Sequence, residues 1–287
     1  MISGGLKIIE NMLMQLPESE RKIAQYILDA PHEVVNCTVS ELAAVTSSSG
    51  AAVIRLCKSL GFKGFQDLKV RVISDLGKPV EQGYTDIKKD ETKENIVQKT
   101  LSNSIQSLRD SAEVIQYEEL EMAVQTLLAA KNIHLFGIGA SQIIATDVQQ
   151  KLLRINKHAT AFSDTHLVAT LIANAEKDDV LFGISFSGET PEVINVMALA
   201  KEKGMKTISL TKYGHSSVAE LADMKLFTSH STEAPFRSAA TSSRLAQLFM
   251  IDVLFLCMAT ETYEETVDYI EKTRSAIKFL KEQSTGK

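Results

Sequence analysis

Three cysteines in 287 residues, Cys37, Cys57 and Cys257, stand too far apart for a zinc clasp or a disulfide framework. They read as small buried hydrophobes of a chain kept in a reducing compartment. A long apolar run is also missing. The most apolar stretch, Leu245 to Ala259, is interrupted by Gln247 and Asp252 and is too short to span a bilayer. No basic segment followed by an apolar core opens the chain, so no signal peptide is expected, and the expectation is a cytoplasmic protein with no membrane partner. Nor is there a surplus of positive charge: 31 Lys and Arg against 36 Asp and Glu leave a net charge of −5. Nucleic-acid binding can therefore be argued only from local charge. Internal repeats and low-complexity tracts are absent, and the length suits two domains.

The first part reads as all helix. Ile2, Leu6, Ile9, Leu13 and Leu16 line one face, and a second amphipathic segment runs from Pro17 to Asp29 before Ala30-Pro31 breaks it. Thr38-Val39-Ser40-Glu41 has the form of a capping box opening a short helix to Val45. A turn over Thr46 to Gly50, a helix to Leu60 and another over Phe65 to Leu76 follow. The apolar period then lapses among Gly, Pro, Lys, Asp and Glu, which sets the expected boundaries: a helical domain over 1–77, a linker over 78–93 and a second domain over 94–287. Residues 95–130 read as helix leading into that domain. After Lys131 short apolar runs alternate with helical patterns, at Ile133–Phe136, Ala159–Phe162, Val180–Ile184, Thr207–Leu210 and Lys225–Phe227. That rhythm predicts an α/β domain with a doubly wound parallel sheet, closed by long helices from Ser238 onward.

The segments Thr38–Val45 and Ser49–Leu60 look like a helix-turn-helix. In the second of them Val53, Leu56, Cys57 and Leu60 form one stripe for the core, and Ile54 is expected to pack against a neighbouring element. The opposite side presents Ser48, Ser49, Gly50, Ala51, Ala52, Arg55, Lys58 and Ser59. Small residues at the helix start allow close approach to a duplex, and Arg55 can reach a phosphate or a guanine. Lys63, Lys69, Arg71 and Lys78 continue a locally basic run, opposed by Asp67 and Asp75, which is the footprint of backbone phosphates. A helical bundle with a solvated cationic face would carry the same pattern.

Gly183-Ile184-Ser185-Phe186-Ser187-Gly188-Glu189-Thr190-Pro191 joins a buried strand to a helix. Backbone N–H groups, the positive helix end and the hydroxyls of Ser185, Ser187 and Thr190 suit an anion site, and Pro191 fits the first helical turn; an ordinary βα turn, which also favours Ser, Gly and Thr, is the alternative. With no lysine and no carboxylate cluster beside it, it is neither a nucleotide P-loop nor a metal site. Gly137-Ile138-Gly139-Ala140-Ser141-Gln142, after the first strand, has Gln142 in place of the third glycine of a dinucleotide fingerprint, so no nicotinamide or flavin cofactor is expected. Ser141 at a helix start suits the hydroxyls of a polar ligand. Glu233, in the polar stretch Ser231–Ser238, is placed either to accept sugar hydroxyls or as an ordinary loop carboxylate. His166 and His215 fall in loops near the same rim, and no Ser/His/Asp or Cys/His constellation assigns a catalytic residue.

The segment Leu42 to Lys69, above all Val53-Ile54-Arg55-Leu56-Cys57-Lys58-Ser59-Leu60-Gly61-Phe62-Lys63-Gly64-Phe65, closely resembles the N-terminal domain of the RpiR family of bacterial transcriptional regulators. The Gly137–Ser141 and Ser185–Thr190 motifs look like those of the sugar isomerase (SIS) domain which that family carries at its C-terminus. The family often has Thr where this chain has Ala52. The resemblance, covering nearly the whole chain, implies a homodimer or homotetramer that binds a palindromic double-stranded DNA operator and responds to a phosphorylated sugar. In SIS domains the Ser-x-Ser-x-x-Thr turn holds the phosphate, which maps to Ser185, Ser187, Gly188 and Thr190; Ala140 and Ser141 approach the sugar. The Glu233 to Arg244 stretch looks most like regulators of the MurR type, which sense N-acetylmuramic acid 6-phosphate, and other hexose or amino-sugar 6-phosphates stand behind that effector. The competing functions are a phosphosugar isomerase or lyase with an accessory helical domain, which needs a base over the sugar carbon, and a protein-interaction module without salt-dependent DNA affinity.

Overall fold

Each of the apolar runs that read as strands is a strand of a single sheet. In the computed structural model, which describes residues 4–76, 87–229 and 241–285, these are β1 (Ile133–Gly137), β2 (Ala159–Phe162), β3 (Val180–Ile184), β4 (Lys206–Lys212) and β5 (Met224–Thr228). Their order is β2-β1-β3-β4-β5. β1 pairs in parallel with β2 and β3, placing Phe136 opposite both Phe162 and Gly183, and β3 pairs in parallel with β4, Ile184 opposite Leu210. From β1 the chain goes first to one side and then to the other, so the carboxyl ends of β1 and β3 flank the switch point where open α/β sheets bind ligands.

The helices of this unit are α8 (Tyr117–Ala129), α9 (Ala140–Arg154), α10 (Thr165–Ala173), α11 (Pro191–Glu202), α12 (Ser217–Leu221), α13 (Thr241–Glu261) and α14 (Tyr263–Thr285). Alternate strand residues feed two cores, because successive side chains point to opposite faces. Ile133, Leu135, Phe182, Ile184, Ile208 and Leu210 pack with α8, α9 and α13. Phe136 and Leu181 pack with Val168, Ile172, Val193, Met197 and Val218 of α10, α11 and α12. By length and composition α13 could cross a membrane, yet Met250, Ile251, Leu254 and Met258 are buried in the sheet core and Asp252 pairs with Lys151 at 3.1 Å.

The other unit is helical: α1 (Gly5–Met12), a 3-10 turn (Leu13–Gln15), α2 (Glu18–Asp29), α3 (Pro31–Val34), α4 (Val39–Val45), α5 (Gly50–Ser59), α6 (Phe65–Leu76) and α7 (Lys93–Glu113). Its core holds Ile9, Ile23, Ile27, Leu42, Val53, Leu56, Leu60 and Leu68, each with no exposed surface. The Asp75 carboxylate of α6 accepts from the N–H groups of Gly4 and Leu6 at 2.8 and 2.9 Å, satisfying orphan donors at the start of α1. α7 groups with these helices, Lys7 pairing with Asp110 at 2.7 Å, and the division between the units falls at Val114–Ile115. The single helix expected over 95–130 is thus two, α7 and α8, interrupted at Val114–Gln116 without a Gly or Pro to announce it.

Candidate functional site

Two helices leave the switch point, α9 after β1 and α11 after β3. Both lack a side-chain cap: the residue before α9 is Gly139, and Thr190 before α11 makes no capping bond. Their neighbours are closed. Asp164 accepts from the N–H groups of His166 and Leu167 at 2.8 and 3.0 Å at the start of α10, and Ser216 accepts from Ala219 N–H at 3.4 Å at the start of α12. Hydrogen bonding to those two N–H groups holds the Asp164 carboxyl below its ordinary range. Asp164 is therefore a helix cap.

The turn between β3 and α11 is held from inside. Ser185 is 2 % exposed, donates its N–H to Leu210 O at 3.1 Å, and places Oγ 2.8 Å from Thr190 Oγ1. Gly188 N–H donates to Ser185 Oγ at 3.2 Å, and Glu189 N–H donates to Ser187 Oγ at 3.2 Å. Since a hydroxyl both accepts and donates, the Ser187 proton and one proton of the Ser185–Thr190 pair remain to meet an acceptor beside an open helix N-terminus. Ser187 is exposed and Thr190 half-buried. Gly188 has φ +72°, and a Cβ there would lie 2.4 Å from Ser216 Cβ, so this position needs glycine. Glu189 turns away: Ser217 donates to its carboxylate from N–H at 2.9 Å and from Oγ at 2.7 Å, which holds its pKa down.

Across the switch point Gly139 takes φ +62° ahead of α9, Ala140 is half-buried and Ser141 is 8 % exposed. Gln142, with its amide nitrogen turned inward, donates to Gly137 O at 2.9 Å and Phe162 O at 3.0 Å. It ties the ends of β1 and β2 together where a dinucleotide fold would have glycine. His166 is exposed at the start of α10 and His215 is exposed. Glu233 lies outside the described residues. No cluster of His, Cys, Asp and Glu suited to a metal occurs among the described residues.

In the helical unit α4 carries the capping box, Thr38 Oγ1 accepting from Glu41 N–H while Glu41 accepts from Thr38 N–H. The bonds that Thr38 donates to its carboxylate, from N–H and from Oγ1, lower the Glu41 pKa. A tight turn, with Ser47 at φ +50°, leads to α5, whose cap is Ser49 through Ala52 N–H at 3.2 Å. Ala51, Arg55, Lys58 and Lys63 are exposed, and Ser48 and Gly50 half-buried. Ala52 departs from the expected open face: it is 2 % exposed, packed inward beside Val53, so the Ala-for-Thr difference falls on the buried side. Ile54, expected to be packed, is 39 % exposed on the outer side. Lys69 and Arg71 are engaged within the domain, Lys69 donating to Cys37 O at 3.0 Å and Arg71 pairing with Asp67 at 3.2 Å and lying over the Phe62 ring. Lys78 lies outside the described residues. Sequence patterning had no way to reveal Glu20, 4 % exposed, which accepts from Ser59 Oγ at 2.7 Å and sits 3.7 Å from Arg55 Nε, orienting that side chain.

A helix-turn-helix unit and a doubly wound sheet with an open, hydroxyl-lined turn at its switch point define a DNA-binding regulator with a sugar-isomerase-type domain. Comparison with known proteins agrees: residues 3–79 match the helix-turn-helix domain of the rpiR family and residues 126–257 match the SIS domain. An uncharacterized HTH-type transcriptional regulator of Bacillus subtilis (strain 168), YbbH, is 59 % identical over 98 % of this chain and 99 % of its own. One of Caldanaerobacter subterraneus subsp. tengcongensis is 41 % identical over 96 % and 98 %. Among solved structures, the Vibrio vulnificus NanR protein complexed with ManNAc-6P superposes with a TM-score of 0.60, at 30 % identity over 95 % of this chain and 98 % of that one. The chain belongs to the RpiR family of helix-turn-helix transcriptional regulators.

Proposed function

We propose that this regulator is a cytoplasmic repressor, without enzymatic turnover, that releases its operator when a phosphorylated amino sugar occupies the β1–β3 rim. The effector is N-acetylmuramic acid 6-phosphate or a related hexose or amino-sugar 6-phosphate. The observation that carries this reading is the pair of uncapped helices, α9 and α11, at one switch point, with Ser185 and Thr190 2.8 Å apart between them. NanR, a relative complexed with a 6-phosphorylated N-acylated amino sugar, supports the same ligand class. Ser185, Ser187, Gly188 and Thr190 take the phosphate, Ala140, Ser141 and Glu233 the sugar. On the DNA side Arg55, Lys58 and Lys63 meet phosphates or base edges, with Ser48, Ser49, Gly50 and Ala51 allowing close approach. The DNA-binding domain is residues 1–77, followed by the linker 78–93; α7 (Lys93–Glu113), expected with the SIS domain over 94–287, groups instead with the helical unit and precedes that domain.

A homodimer or homotetramer would place two such helices on a palindromic operator about one turn of DNA apart. Gating then requires that the sugar phosphate prefer the form that does not bind DNA; full switching takes roughly a 10⁴-fold preference. The test is a panel of sugar 6-phosphates added to the full-length protein, read by melting temperature and by gel shift on its own upstream DNA. Stabilisation with release of DNA is expected, since a ligand of the native state raises its melting point. No stabilisation by any member refutes the sensor, and turnover of hexose 6-phosphates at enzymatic rates would make the protein an isomerase or lyase.

A further inference from the structure

Gln247 of α13 is 2 % exposed, and its side-chain nitrogen has no hydrogen-bond partner among the described residues. A buried amide donor without an acceptor is costly, and each one calls for a specific explanation. Its position suggests one. α9 starts at the carboxyl end of β1 and leads down to β2. Thr262, just past α13, lines one cavity with Ile155, Asn156 and Lys157, the residues that enter β2. α13 therefore runs in the same direction as α9, from the ligand rim to the opposite edge of the sheet.

The ion pair Lys151–Asp252 at 3.1 Å joins the two helices, and Ser141 and Ser242 fall in the first turn of α9 and of α13, at their rim ends. Ser243 and Gln247 are buried and lie on the same stripe of α13 as Met250, Ile251, Leu254 and Met258, the stripe that packs on the sheet. The apolar stripe thus turns polar over its last turns before the rim. Helical side chains lean toward the helix N-terminus, which for α13 is the end at the rim, and Gln247 falls in its second turn.

We propose that Gln247 contacts the effector, its side-chain NH₂ donating to a hydroxyl or acyl oxygen on the sugar, away from the phosphate turn. This rests on the sugar-phosphate reading above and adds to it a residue that discriminates the sugar rather than the anion. The test uses the full-length protein and Gln247→Met, which keeps the volume and removes the unpaired donor. Titration calorimetry with N-acetylmannosamine 6-phosphate, N-acetylmuramic acid 6-phosphate and glucose 6-phosphate is set beside competition by inorganic phosphate. The expected result is a melting temperature no lower than wild type, at least a tenfold loss of affinity for the sugar phosphate that wild type binds best, and unchanged competition by inorganic phosphate. Sugar-phosphate affinity within twofold of wild type overturns the proposal, as does an equal loss for inorganic phosphate, which would mean that Gln247 only shapes the rim. Should Gln247→Met fail to fold, Gln247→Asn, which draws the donor back by one carbon, is held to the same outcomes. Failure of wild type to bind any of the three sugars overturns the ligand reading itself, and Gln247 falls with it.

Discussion

Replacing Gly188 by alanine probes the turn proposed to hold the anion. Two costs can be worked out separately. The backbone sits at φ +72°, where an L-residue other than glycine loses about 1–2 kcal/mol. The new Cβ would also lie 2.2 Å from Ser216 Oγ and 2.4 Å from Ser216 Cβ, an overlap of the kind that costs about 1–3 kcal/mol in packed regions. Together Gly188→Ala should destabilise the sheet unit by about 2–5 kcal/mol and displace Ser185 and Thr190 enough to lose sugar-phosphate binding. Adding Ser216→Gly removes the overlap but leaves the φ cost, and glycine in place of a Ser cap loses only a few tenths. The double variant should therefore recover about 0.5–2.5 kcal/mol over Gly188→Ala alone, a coupling that urea unfolding followed by circular dichroism resolves. If Gly188→Ala costs less than about 0.5 kcal/mol and leaves sugar-phosphate binding intact, the turn is not built as described. If the two substitutions simply add, Ser216 is not the wall against which it is pressed.

Ser187→Ala with Thr190→Ala should abolish the ligand response while apo DNA binding stays at wild-type level; a normal response at normal ligand concentration would place the anion elsewhere. Arg55→Ala should weaken operator binding and lower the log–log salt slope by about 1, with sugar-phosphate binding unchanged, because Glu20 keeps its Ser59 partner and the fold is spared. Unaltered gel shifts would refute the role of α5. The Cys57 thiol, fully buried, is pushed up from 9.0 to about 11 by burial. The unfolded chain sheds this proton first, so the stabilisation is whole below pH 9 and is lost as pH rises toward 11. Wild type should lose about 2–3 kcal/mol more than Cys57→Ala across that window, and parallel pH curves in urea unfolding would exclude a buried thiol.

The sheet was legible because parallel strands buried on both faces leave little choice of residue: Ala159–Phe162 and Val180–Ile184 coincide with β2 and β3, and the other runs differ from their strands by one to three residues in all. Caps were legible for a similar reason, since Thr38 and Glu41 meet across three residues of local chain. What patterning missed depends on packing between elements far apart in sequence. A 3.6-residue period places Ala52 and Arg55 on neighbouring faces of α5, yet packing against other helices decides that Ala52 is covered, and Glu20 of α2 is what Arg55 leans on. Charge counting likewise treats Lys69 and Arg71 as free cations, although Cys37 O and Asp67 take them up. Gln247 reads in sequence as a blemish in an apolar run; only its burial near the rim end of α13 gives it a meaning.

One residue stands against an anion site at this turn, the carboxylate of Glu189 between Gly188 and Thr190. At the tip of an open helix it would itself be a suitable occupant and would repel a phosphate. The geometry removes both objections. Both Glu189 oxygens are taken, Oε1 by Ser217 N–H at 2.9 Å and Oε2 by Ser217 Oγ at 2.7 Å, and Gly188 O accepts from Val218 N–H at 3.0 Å on the same side. The negative charge is drawn to the start of α12, where hydrogen bonds from Ser217 stabilise it and lower its pKa. What remains at the start of α11 is the pair of hydroxyls and a helix end with no side chain covering it. Glu189 thus anchors the turn from behind and leaves its front open, which is the arrangement an external anion requires.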